Sequence, residues 1–220
     1  MKSLSLAVFI LLISSVIGFA LEMEKTEITA PSGRKIGVGI VRPEGAGPFS
    51  AVIIQRGSGG NLDGWENALK RYAREGFMAV AIDSSVARGE FDTAAARIKA
   101  TVEALQNMKD VIPDKIGLWG SSNGGAASLR YSASNSLAAV VTYGAIYTQA
   151  SDAATKISSP ILILHGSDDT TSSPNLAKLY FKELAEKNHN ARLKILEGKE
   201  HKWDSDVMTE SIAFFKEKLK

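Results

Sequence analysis

The stretch GLWGSSNGGAA, residues 117–127, contains a serine with one glycine two residues before it and another two residues after it. Gly120-Ser121-Ser122-Asn123-Gly124 fits Gly-x-Ser-x-Gly in one frame only, with Ser122 at the centre. Centring the pattern on Ser121 would require a glycine where Trp119 stands. Such a serine sits on a sharp strand-to-helix turn, where side chains at the two flanking positions would collide. The helix that follows directs its N-terminal N–H groups at the site, where they stabilise developing negative charge. A Gly/Ser-rich turn without chemistry has the same composition, so a nucleophile also needs a base and an acid. Ser121 is the minor alternative, with packing or hydrogen bonding beside the turn as its expected role.

The chain has three histidines. His189, in KNHN after a polar helix, reads as a solvated loop residue. His165 closes the apolar run PILILH and reads as a buried structural residue. His201, in EGKEHKW, follows the last expected strand and precedes the last helix, which makes it the candidate base for Ser122. The candidate acids are Asp168 and Asp169 in HGSDDTTSSP, just after another strand. An Asp-rich turn capping the next helix is the plainer reading of that segment. The chain order serine, aspartate, histidine is nevertheless the order of an α/β-hydrolase triad. Tyr143, Tyr147 and Arg88 follow the ends of expected strands and are candidates for lining a substrate pocket, as is Arg56. Trp203 either shields the base or belongs to the core.

These residues must be presented by a common scaffold. Residues 23–29 and 35–42 read as strands joined at a PSGR turn. Strands follow at 50–55, 77–82, 115–119, 137–143, 160–165 and 192–196, several of them continuous apolar runs suited to burial on both faces. Helical spacing marks residues 62–75, 92–108, 124–131, 175–186 and 205–219. Residues 144–159 carry no clear element, although part is compatible with helix. This alternation predicts an α/β fold: one mostly parallel sheet with helices on both faces and an antiparallel edge. No connection is long enough for a large cap domain. Ligands in such sheets bind at the carboxyl ends of the strands, where Ser122, the aspartates and His201 all fall.

The 220 residues suit a single domain; 45% are hydrophobic and 23% charged, with a net charge of +2. The near-neutral charge argues against a nucleic-acid partner. With no cysteine there is no disulfide, thiolate metal site or cysteine nucleophile, and three scattered histidines make a zinc site unexpected. Residues 1–20 have the three-part layout of a secretory signal peptide: Lys2, an apolar run, then Gly18 and Ala20 before the cut. Residues 21–220 are then the mature domain, secreted or periplasmic. An uncleaved anchor is the rival reading and the one route to a membrane association.

On GLWGSSNGG, PILILHGSDD, EGKEH and VIIQRGSGG, the chain resembles the α/β-hydrolase superfamily over nearly all of its mature length, in particular the dienelactone hydrolase-like branch. The resemblance implies an acid three residues after Gly166, at Asp169 rather than Asp168. Pro174 stands five residues after Asp169, one more than is usual in such proteins. The resemblance also implies an oxyanion hole made by the backbone N–H groups of Ser58 and Asn123. The usual His-Gly-x-Gly-Gly reads here Arg56-Gly57-Ser58-Gly59-Gly60. Dienelactone hydrolases proper use a cysteine nucleophile, so their substrate does not carry over.

The expected reaction is hydrolysis of an ester-type bond in a small acyl substrate through an acyl-enzyme on Ser122, without cofactor or metal. A non-catalytic binding protein, an acyltransferase and a peptidase are the alternatives on the same fold. Oligomeric state is not readable from the sequence.

Overall fold

A computed structural model describes residues 21–59 and 61–220; the expected signal peptide lies outside the described residues. In strand β3 (Phe49–Gln55), Ala51 and Ile53 enter one hydrophobic cluster while Val52 and Ile54 enter another, all fully buried. Successive strand side chains alternate faces, so a strand that is apolar at every position must be covered on both sides. The same division runs through β4 (Met78–Ile82), β6 (Ala139–Tyr143) and β7 (Ile161–Gly166). Helices α2 (Phe91–Gln106), α3 (Asn123–Ser132) and α4 (Pro174–Ala185) contribute to the first cluster. Helices α1 (Glu66–Arg74) and α5 (Ser205–Leu219) contribute to the second.

With β1 (Glu24–Thr29), β2 (Lys35–Val41), β5 (Val111–Ser121) and β8 (Ala191–Leu196), the strands form one eight-stranded sheet. Its order is β1-β2-β4-β3-β5-β6-β7-β8. Strand β2 runs antiparallel to both β1 and β4, and every other neighbouring pair is parallel. The antiparallel edge and the parallel body follow the expectation, and no cap interrupts them. Because β3, β5, β6, β7 and β8 run in one direction, the segments after them meet on one rim.

Two local features depart from the sequence reading, and a third, the helical part of residues 144–159, follows it. The helix expected over 62–75 is split: a 3-10 turn, Leu62–Trp65, capped by the Asn61 side chain, precedes α1. Strand β5 begins at Val111 rather than residue 115. Its first stretch includes exposed Pro113 and Asp114 and a register shift against β3, so no alternation marks it. Residues 144–159 contain two further 3-10 segments, Tyr147–Gln149 and Ser151–Lys156.

Phe215 of α5 is fully buried against the rings of Tyr72 and Phe77, at centroid distances of 6.0 and 6.5 Å. It also fills the space beside Gly117, where an added Cβ would come within 2.6 Å of its ring. Phe215→Ala is expected to lower unfolding free energy by about 3–5 kcal/mol, measured by urea denaturation. A loss below about 1 kcal/mol would show that the ring does not bind α5 to the sheet.

Candidate active site

Ser122 lies between β5 and α3 at φ 52°, ψ −125°, and is the one non-glycine with positive φ among the described residues. Such a conformation costs on the order of 1–3 kcal/mol and persists only where its surroundings enforce it. Here the Ser122 N–H donates to the Tyr143 carbonyl (3.1 Å), while the Ser122 carbonyl accepts from Ala126 and Ile146 N–H (3.1 and 3.3 Å). The flanking glycines have steric reasons. A Cβ on Gly120 would strike the Ser128 hydroxyl and the Gly124 carbonyl; one on Gly124 would strike the Gln55 and Arg56 carbonyls. The turn therefore lies directly against the end of β3. Ser121 is buried as the last residue of β5, in register with Tyr143.

His201 Nε2 lies 2.9 Å from Ser122 Oγ, and His201 Nδ1 lies 2.7 Å from Asp169 Oδ2. Asp169 is buried, and its other oxygen accepts from the N–H groups of Thr171 and Ser172 at 2.9 and 2.8 Å. A buried carboxylate needs such donors, since an unpaired one would cost several kcal/mol. Asp168 is exposed and accepts from the Ser167 hydroxyl instead. Neither aspartate caps the next helix: Ser173 caps α4 through the Asn175 N–H, with Pro174 at its first turn. The spacing of Pro174 from the acid thus reflects where α4 starts.

Two contacts fix the His201 loop. The Tyr143 hydroxyl donates to the Glu200 carbonyl, and Lys199 pairs with Asp204 and Asp206. Asp204 in turn caps α5 through the Asp206 and Val207 N–H groups. Burial raises the Tyr143 phenol to about 12, so it remains a hydrogen-bond donor throughout the neutral range.

The loop after β3 is joined to the serine turn by side chains. Asn123 Nδ2 donates to Ser58 Oγ (2.7 Å) and to the Val86 carbonyl (3.1 Å), which also accepts from Ser58 Oγ (3.1 Å). No acceptor among the described residues takes the backbone N–H of Ser58 or of Asn123. Arg56 is buried, with Nε donating to the Ile82 carbonyl (3.4 Å) and Nη2 lying 3.7 Å from Asp83. Burial lowers its basicity, opposed by the Asp83 charge.

A cavity of about 770 Å³ opens over Ser122 and His201, bordered by Ser58, Arg56 and Asn123 on one part of its wall. Trp65 and Trp203 supply an aromatic part and Ile146 an apolar one. Trp203 packs against the core: its ring lies tilted on Trp65 (4.7 Å) and edge-to-face with Trp119 (6.0 Å), and it also lines the cleft beside His201. Three pocket expectations are corrected. Tyr143 is fully buried beneath the His201 loop, and Tyr147 is buried with its hydroxyl 3.3 Å from His165 Nδ1. Arg88 is exposed outside the cleft, because the chain turns inward at Val86 and has left the rim two residues later. Among the described residues, no cluster of three or more His, Asp or Glu side chains is arranged to hold a metal.

The sequence reading passed over Gly144, the residue after β6. At φ +54° it lies against the histidine–aspartate pair, where a Cβ would come 3.1 Å from both Asp169 Oδ2 and His201 Nδ1. Its signal was a lone glycine after a buried strand.

The family model for the dienelactone hydrolase family matches residues 84–211, a span that includes Ser122, Asp169 and His201. No curated protein matches the chain. Among solved structures, a dienelactone hydrolase from Anabaena variabilis superposes with a TM-score of 0.76 at 20% identity, covering 91% of this chain and 99% of that one. Thermogutta terrifontis esterase 2 gives a TM-score of 0.73 at 16% identity, covering 89% and 94%. Porphyromonas gingivalis dipeptidyl peptidase 4 gives 0.75 at 20% identity, covering 91% of this chain but 36% of that one. At these identities the likeness establishes the α/β-hydrolase fold.

Gly144→Ala is expected to force Asp169 and His201 apart and to reduce stability by about 1–3 kcal/mol. NMR of the His201 imidazole should then show loss of the hydrogen-bonded Nδ1 proton. An unchanged imidazole spectrum in the folded variant would contradict the close approach.

Proposed function

This chain belongs to the dienelactone hydrolase family and is a hydrolase, and we propose that it cleaves an ester-type bond of a small acyl substrate through an acyl-enzyme on Ser122. Carboxylesters, lactones and thioesters are the candidate substrates. The observation that carries this reading is the continuous line from Ser122 Oγ through His201 to Asp169, at 2.9 and 2.7 Å. A protein that only binds has no use for that alignment. The family's more familiar cysteine nucleophile has no counterpart here, since the chain contains no cysteine.

The mechanism follows from the atoms. Asp169 accepts at Nδ1, so His201 carries its proton there and turns the Nε2 lone pair toward Ser122. Ser122 Oγ attacks the acyl carbonyl as His201 takes its proton. The carbonyl oxygen gains negative charge and is met by the N–H groups of Ser58 and Asn123, which have no acceptor among the described residues, in support of this role. His201 then protonates the leaving group. Water, deprotonated by His201, releases the acyl group and restores Ser122. Arg56 acts in this scheme through the loop it holds. The open cleft without a cap favours small or extended esters. We include export in the proposal, on the signal-peptide layout of residues 1–20.

Treatment of the purified mature protein with a fluorophosphonate should give one adduct by mass. The adduct should persist in Ser121→Ala and disappear in Ser122→Ala and His201→Ala. Asp169→Asn should slow ester turnover by about four decades through the wrong imidazole tautomer, while Asp168→Asn stays near wild type. No adduct on folded wild-type protein would favour a binding protein; an adduct lost only in Ser121→Ala would move the nucleophile by one residue.

A further inference from the structure

Asp169 has a second histidine beside it. His165, the penultimate residue of β7, is fully buried, and its Nε2 lies 2.6 Å from the Ser172 carbonyl and 3.3 Å from Asp169 Oδ2. A carbonyl only accepts, so Nε2 must carry a proton. The neutral ring then has its lone pair on Nδ1, which lies 3.3 Å from the Tyr147 hydroxyl, a donor. The tautomer is therefore fixed from both sides. Oδ2 of Asp169 takes the hydrogen bond of His201 Nδ1–H, and His165 Nε2, whose proton goes to the Ser172 carbonyl, lies 3.3 Å from the same oxygen.

We propose that His165 is a positioning residue for this reaction: its Nε2–H holds the Ser172 carbonyl, and with it the 169–172 turn, so that Asp169 Oδ2 stays aligned with His201. The proposal rests on the hydrolase reading given above. The bond to the Ser172 carbonyl anchors the turn that supplies the Thr171 and Ser172 N–H donors to Oδ1. The Ser172 hydroxyl extends the anchorage by donating to the Ala145 carbonyl, next to Gly144. Both carboxylate oxygens are thus constrained, and rotation of the carboxylate would break bonds at each.

The arrangement favours a neutral His165. Desolvation lowers its affinity for protons, and the nearby His201 acts in the same sense; the Ser172 carbonyl and Asp169 oppose them. The other titratable groups facing this cluster are Tyr143, beside Asp169 and the His201 loop, Tyr147 and, behind it at 5.1 Å between rings, Tyr180 of α4. Burial raises all three phenols, so none carries charge in the neutral range. The N–H edge of the neutral ring, 3.3 Å from Oδ2, also tempers the negative charge that Asp169 presents to His201. Its removal should therefore stabilise the His201 imidazolium and move the acidic limb of kcat/KM to higher pH.

The test compares His165→Gln, His165→Asn and His165→Met with wild type, using p-nitrophenyl acetate hydrolysis and fluorophosphonate labelling. Glutamine places its amide nitrogen near the position of Nε2; asparagine places it nearer Nδ1, facing Tyr147. His165→Met, without a donor, should lose about tenfold to a hundredfold in kcat with little change in KM, and its acidic limb should shift upward. His165→Gln should recover most of both, and His165→Asn should not. If His165→Met does not fold, the glutamine–asparagine pair still decides. Equal rates and identical pH profiles for those two variants would overturn the proposal, leaving His165 a packing residue. Wild-type protein that is neither labelled nor active would instead overturn the hydrolase reading itself.

Discussion

Ser122 is held at a positive φ by a strand that cannot move and a helix that must begin at once, and much of the site follows from that constraint. Strand β5 is central and buried on both faces after residue 115, so the chain arrives at the rim with little freedom. Helix α3 starts at the next residue and packs back against the sheet. The reversal brings Gly124 against the carbonyls that end β3, which leaves no room for a side chain there. It also aims the first N–H groups of α3 at the space over Ser122. The local conformational cost is offset by the packing of two elements that are secure without it, as expected at a functional turn.

A second requirement falls on Asp169. A charged carboxylate in a dry interior is tolerable only when it is fully hydrogen-bonded. Two backbone N–H groups and the His201 imidazole meet that need, with the His165 ring 3.3 Å from the second oxygen. The same bonds give direction: a carboxylate with both oxygens engaged has one orientation, and that orientation sets the tautomer of His201. Stability and orientation are here the same set of contacts. Gly144 completes the arrangement by omission, since a side chain there would sit at a strained positive φ and crowd the pair at 3.1 Å.

The sheet order, both covering layers and the rim were legible because apolar runs and periodic helices report burial directly. The serine was legible because its steric neighbours had to be glycine. The choice between Asp168 and Asp169 was not legible from residue types, which are identical; it depends on which side of one turn each carboxylate falls. Tyr143 was misread for a reason that strand parity contains. It follows Val141 by two residues, so it shares that residue's face and enters the second cluster rather than the cleft. Proximity to a strand end gives height on the rim but no direction. Arg88 lies in an irregular segment and Tyr147 opens a three-residue 3-10 turn, too short for a period to supply direction. The roles of His165 and Gly144 depend on partners from several strands and could not be found from local sequence.

Arg56 shows how the scaffold accommodates a departure from the usual motif. In the proposed mechanism this loop contributes through backbone N–H groups, so the side chain that opens it is free to change if the loop stays in place. Here the long arginine side chain reaches back to the end of β4, meeting the Ile82 carbonyl and Asp83. Asn123 joins the same region from the other side through Val86 and Ser58. The loop is thus held between β4 and the first residue of α3, by one buried cation and one amide. A guanidinium remains protonated even when burial lowers its basicity, so this support persists across the pH range in which a histidine base works. A histidine at position 56 would be shorter and would titrate within that range. Under the proposed mechanism, Arg56 therefore keeps the Ser58 and Asn123 N–H groups independent of the protonation asked of His201.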